Sequence, residues 1–133
     1  MNFVLDASAV LALLKKEPGH ERVMALLARE ECVVSAVNWA ETAGKLADSG
    51  QHESDVRATL NALGAEIIPF NETDAIECGL LRPVTRHLGL SLGDRACLAL
   101  ARLTNATAVT ADRLWLQLAQ PLGIAIECIR PTP

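Results

Sequence analysis

The sequence has few aromatic residues and no excess of positive charge. Its 133 residues include no tyrosine, two phenylalanines and two tryptophans, so a platform of aromatic side chains for stacking nucleic-acid bases is not evident. Twelve lysines and arginines stand against 16 aspartates and glutamates, a formal net charge of −4 at pH 7. This balance argues against a generic nucleic-acid binder, whose affinity comes from surplus positive charge. It is compatible with an enzyme whose acids are clustered around a metal ion.

The few cysteines and histidines do not form a zinc-binding pattern. The cysteines stand far apart, without a C-x-x-C pair and each within an apolar stretch, at Cys32, Cys78, Cys97 and Cys128. We therefore expect reduced cysteines in the hydrophobic core. The histidines are not at ligand spacing from one another or from a cysteine, and we expect a surface position for each of them: His20, His52 and His87.

Long hydrophobic runs are also missing. No stretch approaches the ~20 apolar residues of a membrane helix, and Asp6 interrupts an apolar N-terminus that no basic segment precedes, which disfavours a signal peptide. Together with the cysteine usage, this predicts a cytoplasmic protein that does not associate with membranes. Half of the residues are hydrophobic and 21% are charged. This composition and the chain length predict a folded protein with a single domain over residues 1–133.

Apolar runs and helical patterns alternate along the chain. Short runs that are apolar on both faces predict strands at 3–5, 32–35, 66–70, 107–110 and 124–129. Helical periodicity predicts helices at 8–16, 19–30, 38–49, 53–63, 72–88, 92–103 and 112–119. The alternation predicts an α/β fold in which a parallel sheet lies between two layers of helices.

Acidic residues recur where predicted strands end and helices begin. Asp6 follows the first strand and Asp112 follows the fourth. Asn38 is predicted to open the helix after the second strand, with Glu41 one turn further on, and Asp94 lies in the first turn of its own helix. Because the carboxyl ends of parallel strands meet at one edge of a sheet, these four acids can converge.

Each acid also has a purely structural interpretation. Asp6 and Asp112 suit the N-cap position of a helix. Asn38 with Glu41, and the matching pair at 91 and 94, suit a capping pair. Capping is the simpler explanation for each acid taken singly, whereas the joint pattern favours a shared site.

Clustered carboxylates predict a divalent cation. Two unit charges ~4 Å apart repel by about 4 kcal/mol at an effective dielectric of about 20, and a cation would offset that repulsion. Oxygen ligands without cysteine or histidine suit Mg²⁺ or Mn²⁺. Such an ion activates water for hydrolysis of a phosphodiester bond without a nucleophilic side chain.

Four sequence blocks resemble the motifs of a known family. The blocks are "VLDASAVLALLKKE", "SAVNWAE", "GLSLGDRACLALA" and "VTADRLW". In this order they resemble the motif blocks of PIN-domain ribonucleases, most closely the VapC toxins of bacterial toxin–antitoxin pairs, and the resemblance covers nearly the whole chain. By this resemblance the family's four acids fall on Asp6, Glu41, Asp94 and Asp112, and its small hydroxyl residues fall on Ser8 and Thr110.

The resemblance implies a three-layer α/β/α sandwich with a central, mainly parallel sheet of four to five strands. It implies an endoribonuclease, dependent on Mg²⁺ or Mn²⁺, that cuts structured RNA, usually tRNA or ribosomal RNA, and so halts translation. Ser8 would orient the first acid or a metal-bound water, and Thr110 belongs to the T-x-D motif.

The resemblance also implies partners. Members of the family usually form homodimers. A VapB-type antitoxin would lay an amphipathic segment in an apolar groove and push a basic side chain into the acid cluster. Promoter DNA would be bound only indirectly, through the antitoxin.

Several other residues are candidates for contacts. The basic residues that could grip RNA, each also suited to a solvated or ion-paired role, are Lys15, Lys16, Arg82, Arg86, Arg95 and Arg113. Trp115 either lines the cleft or packs in the core. The predicted helix over 19–30 is strongly apolar through Val23, Met24, Leu26 and Leu27. Together with the helix over 8–16, it forms either a homodimer or antitoxin surface or part of the core.

Other functions fit parts of the pattern. A phosphatase of the haloacid dehalogenase type also begins with an aspartate after its first strand, but its second aspartate two residues later is replaced here by Ser8, and the length leaves no room for a cap domain. Two alternatives within the same fold remain open. One is a PIN nuclease in RNA maturation outside toxin–antitoxin biology, and the other is a non-catalytic interaction module whose acids only cap helices.

Overall fold

The fold is built on a parallel sheet. The computed structural model describes residues 2–131. The strands of this part are β1 (Asn2–Leu5), β2 (Glu31–Ser35), β3 (Glu66–Ile68), β4 (Thr107–Thr110) and β5 (Ile126–Cys128). Their order is β3-β2-β1-β4-β5, and every neighbouring pair is parallel. The predicted α/β fold, with a parallel sheet of four to five strands, is confirmed.

Helices alternate with the strands, as the sequence predicts. Between residues 2 and 131 the α-helices are α1 (Ala7–Lys15), α2 (His20–Arg29), α3 (Ala36–Asp48), α4 (Glu53–Asn61), α5 (Glu72–Thr85), α6 (Leu92–Thr104) and α7 (Ala119–Leu122). Two 3₁₀ helices span Arg86–Leu88 and Arg113–Leu118. The predicted helix over 112–119 is therefore wrong in type, because the Asp112 carboxylate accepts the N–H of Leu114 only two residues on, which begins a tighter turn.

Two predicted strands are shorter than expected. The run at 66–70 is a strand only as far as Ile68, since Pro69 follows and has no N–H for a sheet hydrogen bond. The run at 124–129 forms a strand only over Ile126–Cys128. These differences leave the order of elements unchanged.

The hydrophobic core lies on both faces of the sheet. Along β1, Val4 points to one face, whereas Phe3 and Leu5 point to the other. The Val4 face packs against α6, nearly all of whose residues from Gly93 to Ala101 are buried. Burying one leucine side chain contributes roughly 1.5–3 kcal/mol, so this packing fixes the start of α6 relative to the sheet.

Residues with two possible roles at the sequence level mostly lie in the core. Trp115 is fully buried, so the core interpretation is correct and the cleft interpretation is wrong. In α2, Val23 and Leu26 are buried and Leu27 packs against them, while Met24 alone of the four is exposed. Three of these four α2 residues therefore pack in the core.

An exposed apolar stripe lies instead on α5. Ile76, Leu80 and Val84 are each more than half exposed, and their spacing of four residues places them on one side of the helix. Cys78 and Leu81 occupy its buried side. We call the three exposed residues the α5 stripe.

The cysteines behave as core residues. Cys32, Cys78 and Cys97 are buried, Cys128 is half-buried, and all four are free. Burial raises the pKa of the Cys97 thiol well above its ordinary value and that of Cys32 to about 11, so both are neutral and unreactive at pH 7. No helix within residues 2–131 combines the length and apolar character needed to cross a membrane.

Candidate active site

The sheet order brings three chain segments to one edge. β1 is the middle strand, with β2 and β4 on either side of it. Asp6 directly follows β1, Thr110 ends β4, and α3 starts immediately after β2. In a parallel sheet this edge is where ligands bind, and the acidic residues singled out in the sequence lie around it.

Asp6 accepts three hydrogen bonds. Its Oδ1 accepts from the Ser8 hydroxyl at 2.7 Å and from the backbone N–H of Ala9 at 2.8 Å, and its Oδ2 accepts from the Thr110 hydroxyl at 2.6 Å. The bond to Ala9 makes Asp6 the N-cap of α1, as the capping interpretation predicts. Capping occupies one oxygen, and the two hydroxyls add contacts that a cap does not need.

The hydroxyls that hold Asp6 are themselves fixed as donors. Ser8 Oγ accepts the N–H of Ala111 at 2.9 Å, and Thr110 Oγ1 accepts the N–H of Asp112 at 3.1 Å. Each hydroxyl therefore directs its own hydrogen at Asp6. This arrangement matches the orienting role that the resemblance implies for Ser8 and extends it to Thr110.

The carboxyl group of Asp6 is unusually basic. Its side chain is buried, and this burial raises the pKa to about 6 against the lowering effect of the hydrogen bonds from Thr110, Ser8 and Ala9. The negative charge of Asp94 makes a smaller contribution to this rise in pKa. Asp6 and Asp94 line the same cleft.

Glu41 is fixed against α6 by Asn38. The Asn38 side-chain amide donates to Oε1 of Glu41 at 3.1 Å and to the carbonyl of Gly93 at 3.0 Å. Gly93 leaves room for this approach, because a Cβ at that position would overlap the Glu41 carboxylate. Helices α3 and α6 thus meet at Gly93, and Glu41 keeps its position only if this residue is glycine.

The predicted capping role of Asn38 is wrong. Helix α3 begins at Ala36, and Ser35 caps it by accepting the N–H of Val37 at 3.3 Å. Asn38 is almost fully buried, and its Oδ1 has no hydrogen-bond partner among the residues described. A buried acceptor without a donor is costly, and Asn38 lines the same cleft as the acids.

Asp94 forms the capping box that the sequence predicts. The Ser91 hydroxyl accepts the N–H of Asp94 at 3.2 Å, and Oδ2 of Asp94 accepts the N–H of Ser91 at 3.0 Å. Asp94 also lines the cleft with Asp6 and Glu41. Capping and membership of the acid cluster are therefore compatible in one residue.

The three acids line one cleft of about 320 Å³, which we call the acid cleft. Glu17, Lys15, Lys45 and Arg130 line it as well. Of these, only Lys15 was among the basic residues singled out above. Lys45 lies one helical turn after Glu41, and Arg130 follows β5 at the same sheet edge. These positions in the sequence indicate that both basic side chains can reach the cleft.

Asp112 lies beside the acid cleft rather than in it. Its carboxylate caps the 3₁₀ helix and lines a neighbouring depression, which shares Ser8 and Arg130 with the acid cleft. The expected convergence of four acids is thus seen for three, with Asp112 at the margin. Arg113 donates a hydrogen bond to the backbone carbonyl of Pro131.

The cleft's donors suit a hard divalent cation. Its acids offer only oxygen atoms, and a cation would offset both the burial of the Asp6 charge and the smaller repulsion from Asp94, the two effects that raise the pKa of Asp6. In their described positions, no three His, Cys, Asp or Glu side chains of residues 2–131 stand at the spacing of metal ligands. The donor chemistry fits Mg²⁺ or Mn²⁺, whereas the side-chain positions do not form a finished coordination shell.

The sequence matches the family described as PIN domain over residues 3–120. The chain belongs to the PIN domain family. This membership confirms the resemblance and sets aside the phosphatase alternative. A comparison with curated proteins finds no match to this PIN domain.

Solved structures with the same fold come from several bacteria. The PIN domain is similar to a chain of VapBC2 from Rickettsia felis bound to a fragment of its promoter DNA, at 20% identity and a TM-score of 0.76 over 96% of this chain and 98% of the other. It is similar to a chain of VapBC-1 from nontypeable Haemophilus influenzae, at 23% identity and a TM-score of 0.72 over 97% and 98%. A chain of DNA-bound VapBC from Salmonella typhimurium has 18% identity and a TM-score of 0.71 over 97% and 98%. At these identities the likeness shows the shared fold.

Proposed function

We propose that this PIN domain, taken as one domain over residues 1–133, is the toxin of a type II toxin–antitoxin pair. In this proposal it is an endoribonuclease, dependent on Mg²⁺ or Mn²⁺, that cuts tRNA or ribosomal RNA in the cytoplasm and so stops translation. The observation that carries the proposal is the acid cleft, in which Asp6, Glu41 and Asp94 meet at the carboxyl edge of the sheet. PIN domains are nucleases, and similar folds occur in VapBC complexes, which supports the assignment.

The residues of the cleft have distinct tasks in this reaction. A bound divalent ion would supply an activated water and stabilise charge on the leaving oxygen. Asp6 and Asp94 would hold that ion, with Glu41 as a third ligand and Asp112 as an outer one. Ser8 and Thr110 keep the oxygens of Asp6 oriented, and Asn38 keeps Glu41 in the cleft.

The same cleft would receive an antitoxin. A VapB-type partner that places a basic side chain among Asp6, Glu41 and Asp94 would compete with the metal for negative charge. Structures of VapBC complexes, some with DNA, support such a partner, and contact with promoter DNA would pass through it. We also propose a homodimer. The α5 stripe offers an apolar surface for the second copy.

Growth after induced expression tests the proposal directly. Wild type and Asp94→Asn are expressed in parallel, and total RNA from both cultures is examined for discrete fragments. We expect growth arrest and specific fragments in the wild type alone, because asparagine can still cap α6 but is a poor cation ligand. If wild type and Asp94→Asn are both soluble and folded and neither slows growth, the toxin function is contradicted. Equal fragment patterns would contradict the role of Asp94.

A further inference from the structure

A second cleft, rich in arginine, lies at the N-terminal end of α6 and shares no lining residue with the acid cleft. It has a volume of about 460 Å³ and is lined by Arg82, Arg86 and Arg95 together with the segment 89–92. We call it the arginine pocket. Its lining includes no acidic side chain, although the whole chain has more acids than bases.

The three arginines lack counter-charges. Across residues 2–131, no carboxylate forms an ion pair with Arg82, Arg86 or Arg95, whereas Arg22, Arg57 and Arg102 each have one. Arg82 lies in the last turn of α5, and Arg86 begins the 3₁₀ helix that follows. Three positive groups around one concave surface favour binding of an anion.

Arg95 is the strongest indication of a ligand. It is only 8% exposed, and its Nη1 donates to the carbonyl of Cys78 at 3.1 Å. Its Nε is buried without a hydrogen-bond partner among the described residues. A buried guanidinium without a carboxylate is costly, so an anion in the pocket would supply the missing charge.

The position of the pocket connects it to the acid cleft. Ser91 lines the arginine pocket, and its backbone N–H donates to Asp94, which lines the acid cleft. The first turn of α6 also contributes its positive dipole end to this region. The two clefts are therefore adjacent at the first turn of α6.

We propose that the arginine pocket binds a backbone phosphate of the RNA, next to the phosphodiester group that the acid cleft hydrolyses. This inference rests on the proposed function and adds a positioning site to it. Guanidinium groups suit phosphate because their N–H donors match its oxygens in pairs. Arg82 lies on the opposite flank of α5 from the α5 stripe, since each residue turns an α-helix by about 100°. No residue of the stripe lines the pocket, so a dimer formed through the stripe would not use the residues of the pocket.

Inorganic phosphate provides a test that does not depend on nuclease activity. Backbone amide resonances of the full chain are followed by NMR as sodium phosphate is added at constant ionic strength, for the wild type and for Arg82→Gln/Arg86→Gln. We expect saturable shifts at residues 89–92 in the wild type and at least about tenfold weaker binding in the variant, because two charge-assisted contacts are lost. Absence of shifts in the wild type, or equal shifts in both proteins, would overturn the proposal.

RNA binding links the pocket to the substrate. Binding of labelled bulk bacterial tRNA is measured against salt concentration in an Asp6→Asn background, which prevents cleavage. Arg82→Gln/Arg86→Gln should bind more weakly and lower the slope of log affinity against log salt by about 0.7–0.9, the value for loss of one phosphate contact. The control is Arg29→Gln/Arg57→Gln, which removes the same charge from two exposed positions on α2 and α4.

The outcomes separate the two proposals. Equal tRNA binding and equal slopes for the pocket variant and the control would overturn the arginine pocket as an RNA site, even if the wild type cleaves RNA. A wild type that binds phosphate at residues 89–92, and tRNA through Arg82 and Arg86, but never cleaves RNA would overturn the nuclease function and leave the pocket standing.

Discussion

The hydroxyl of Thr110 at the end of β4 donates a 2.6 Å hydrogen bond to the carboxylate of Asp6 at the end of β1. The same hydroxyl accepts the N–H of Asp112. One side chain thus connects the central acid of the cleft to the backbone of the marginal one. The buried bond also opposes the rise in the pKa of Asp6 that burial causes.

Removing this hydroxyl should make Asp6 harder to ionise. In Thr110→Val the pKa of Asp6 should rise above about 6, so the acid limb of the pH–rate profile for RNA cleavage should move to higher pH. The variant should also lose about 1–3 kcal/mol of stability, because the N–H of Asp112 loses its partner. The control is Thr104→Val, which removes a hydroxyl bonded to the carbonyl of Leu100 in the last turn of α6. An unchanged pH profile in Thr110→Val would contradict the assigned role.

Asp6 should destabilise the metal-free protein at neutral pH. An acid whose pKa is raised on folding, here from 3.8 to about 6, binds more protons in the folded state between these values. The contribution of Asp6 to stability is therefore most favourable below about pH 4, falls as pH rises to about 6, and stays lower above it. Asp6→Asn removes this cost, so it should be more stable than wild type at pH 8 by roughly 1–3 kcal/mol and lose the advantage near pH 4.

Urea unfolding in the presence of a chelator measures this difference at the two pH values. Asp55→Asn on α4 is the control, since Asp55 is exposed and distant in sequence from the cleft. An Asp6→Asn protein that is less stable than wild type at both pH values would show that the carboxylate's hydrogen bonds outweigh its burial.

Metal binding should depend on the acids in a definite order. Mg²⁺ or Mn²⁺ at about 100 times its dissociation constant should stabilise the wild type by about 2.7 kcal/mol. Asp6→Asn and Asp94→Asn should abolish this effect and RNA cleavage, Glu41→Gln should weaken both, and Asp112→Asn should have the mildest effect because Asp112 lies outside the acid cleft. Thermal unfolding with and without metal gives the ranking. If Asp112→Asn weakens metal binding as much as Asp94→Asn does, Asp112 is a principal ligand and the predicted order is contradicted.

A methyl group on Gly93 should displace Glu41. The added Cβ would overlap the Glu41 carboxylate, so Gly93→Ala should lower RNA cleavage at least about tenfold while the protein stays folded. Gly79→Ala in α5 is the matched control, because nothing lies within 4 Å of its added Cβ. That control should keep full activity and gain about 0.5–1 kcal/mol from better helix propensity. Full activity in Gly93→Ala would show that Glu41 is not needed where it lies.

A charge on the α5 stripe should prevent dimerisation. Leu80 is 62% exposed, and Leu80→Lys would place an unpaired charge in a dry interface without disturbing the core. We expect analytical ultracentrifugation to show a dimer for the wild type and a monomer for the variant. Leu103→Lys, on an exposed apolar residue of α6, should remain dimeric. Dimers in both variants would place the interface elsewhere.

The order of strands and helices could be predicted because the apolar runs match a covered parallel sheet. Asp6 and Asp94 could be placed because each occupies a position fixed by local rules, the end of a strand and the first turn of a helix. For Asp94, both the capping and the cleft position hold. Local rules were sufficient where the nearest neighbours in the sequence determine the geometry.

Asn38 and Arg95 could not be assigned in this way. The partners of Asn38 include Gly93, 55 residues away, and Arg95 donates to the carbonyl of Cys78, 17 residues away. Such contacts depend on how α3, α5 and α6 pack, which periodicity does not specify. The place of Asp112 beside the acid cleft rather than in it also depends on tertiary structure, here on the 3₁₀ helix that its carboxylate caps.

The backbone N–H of Asp6 bonds to the carbonyl of Val109, which extends the pairing of β1 with β4 beyond the strand itself. The backbone position of the central acid is therefore set by the sheet itself. The position of Asp94 is set by the packing of α6 against the same sheet, and that of Glu41 by its contact with Asn38. Each acid of the cleft is thus placed by the fold rather than by a mobile loop.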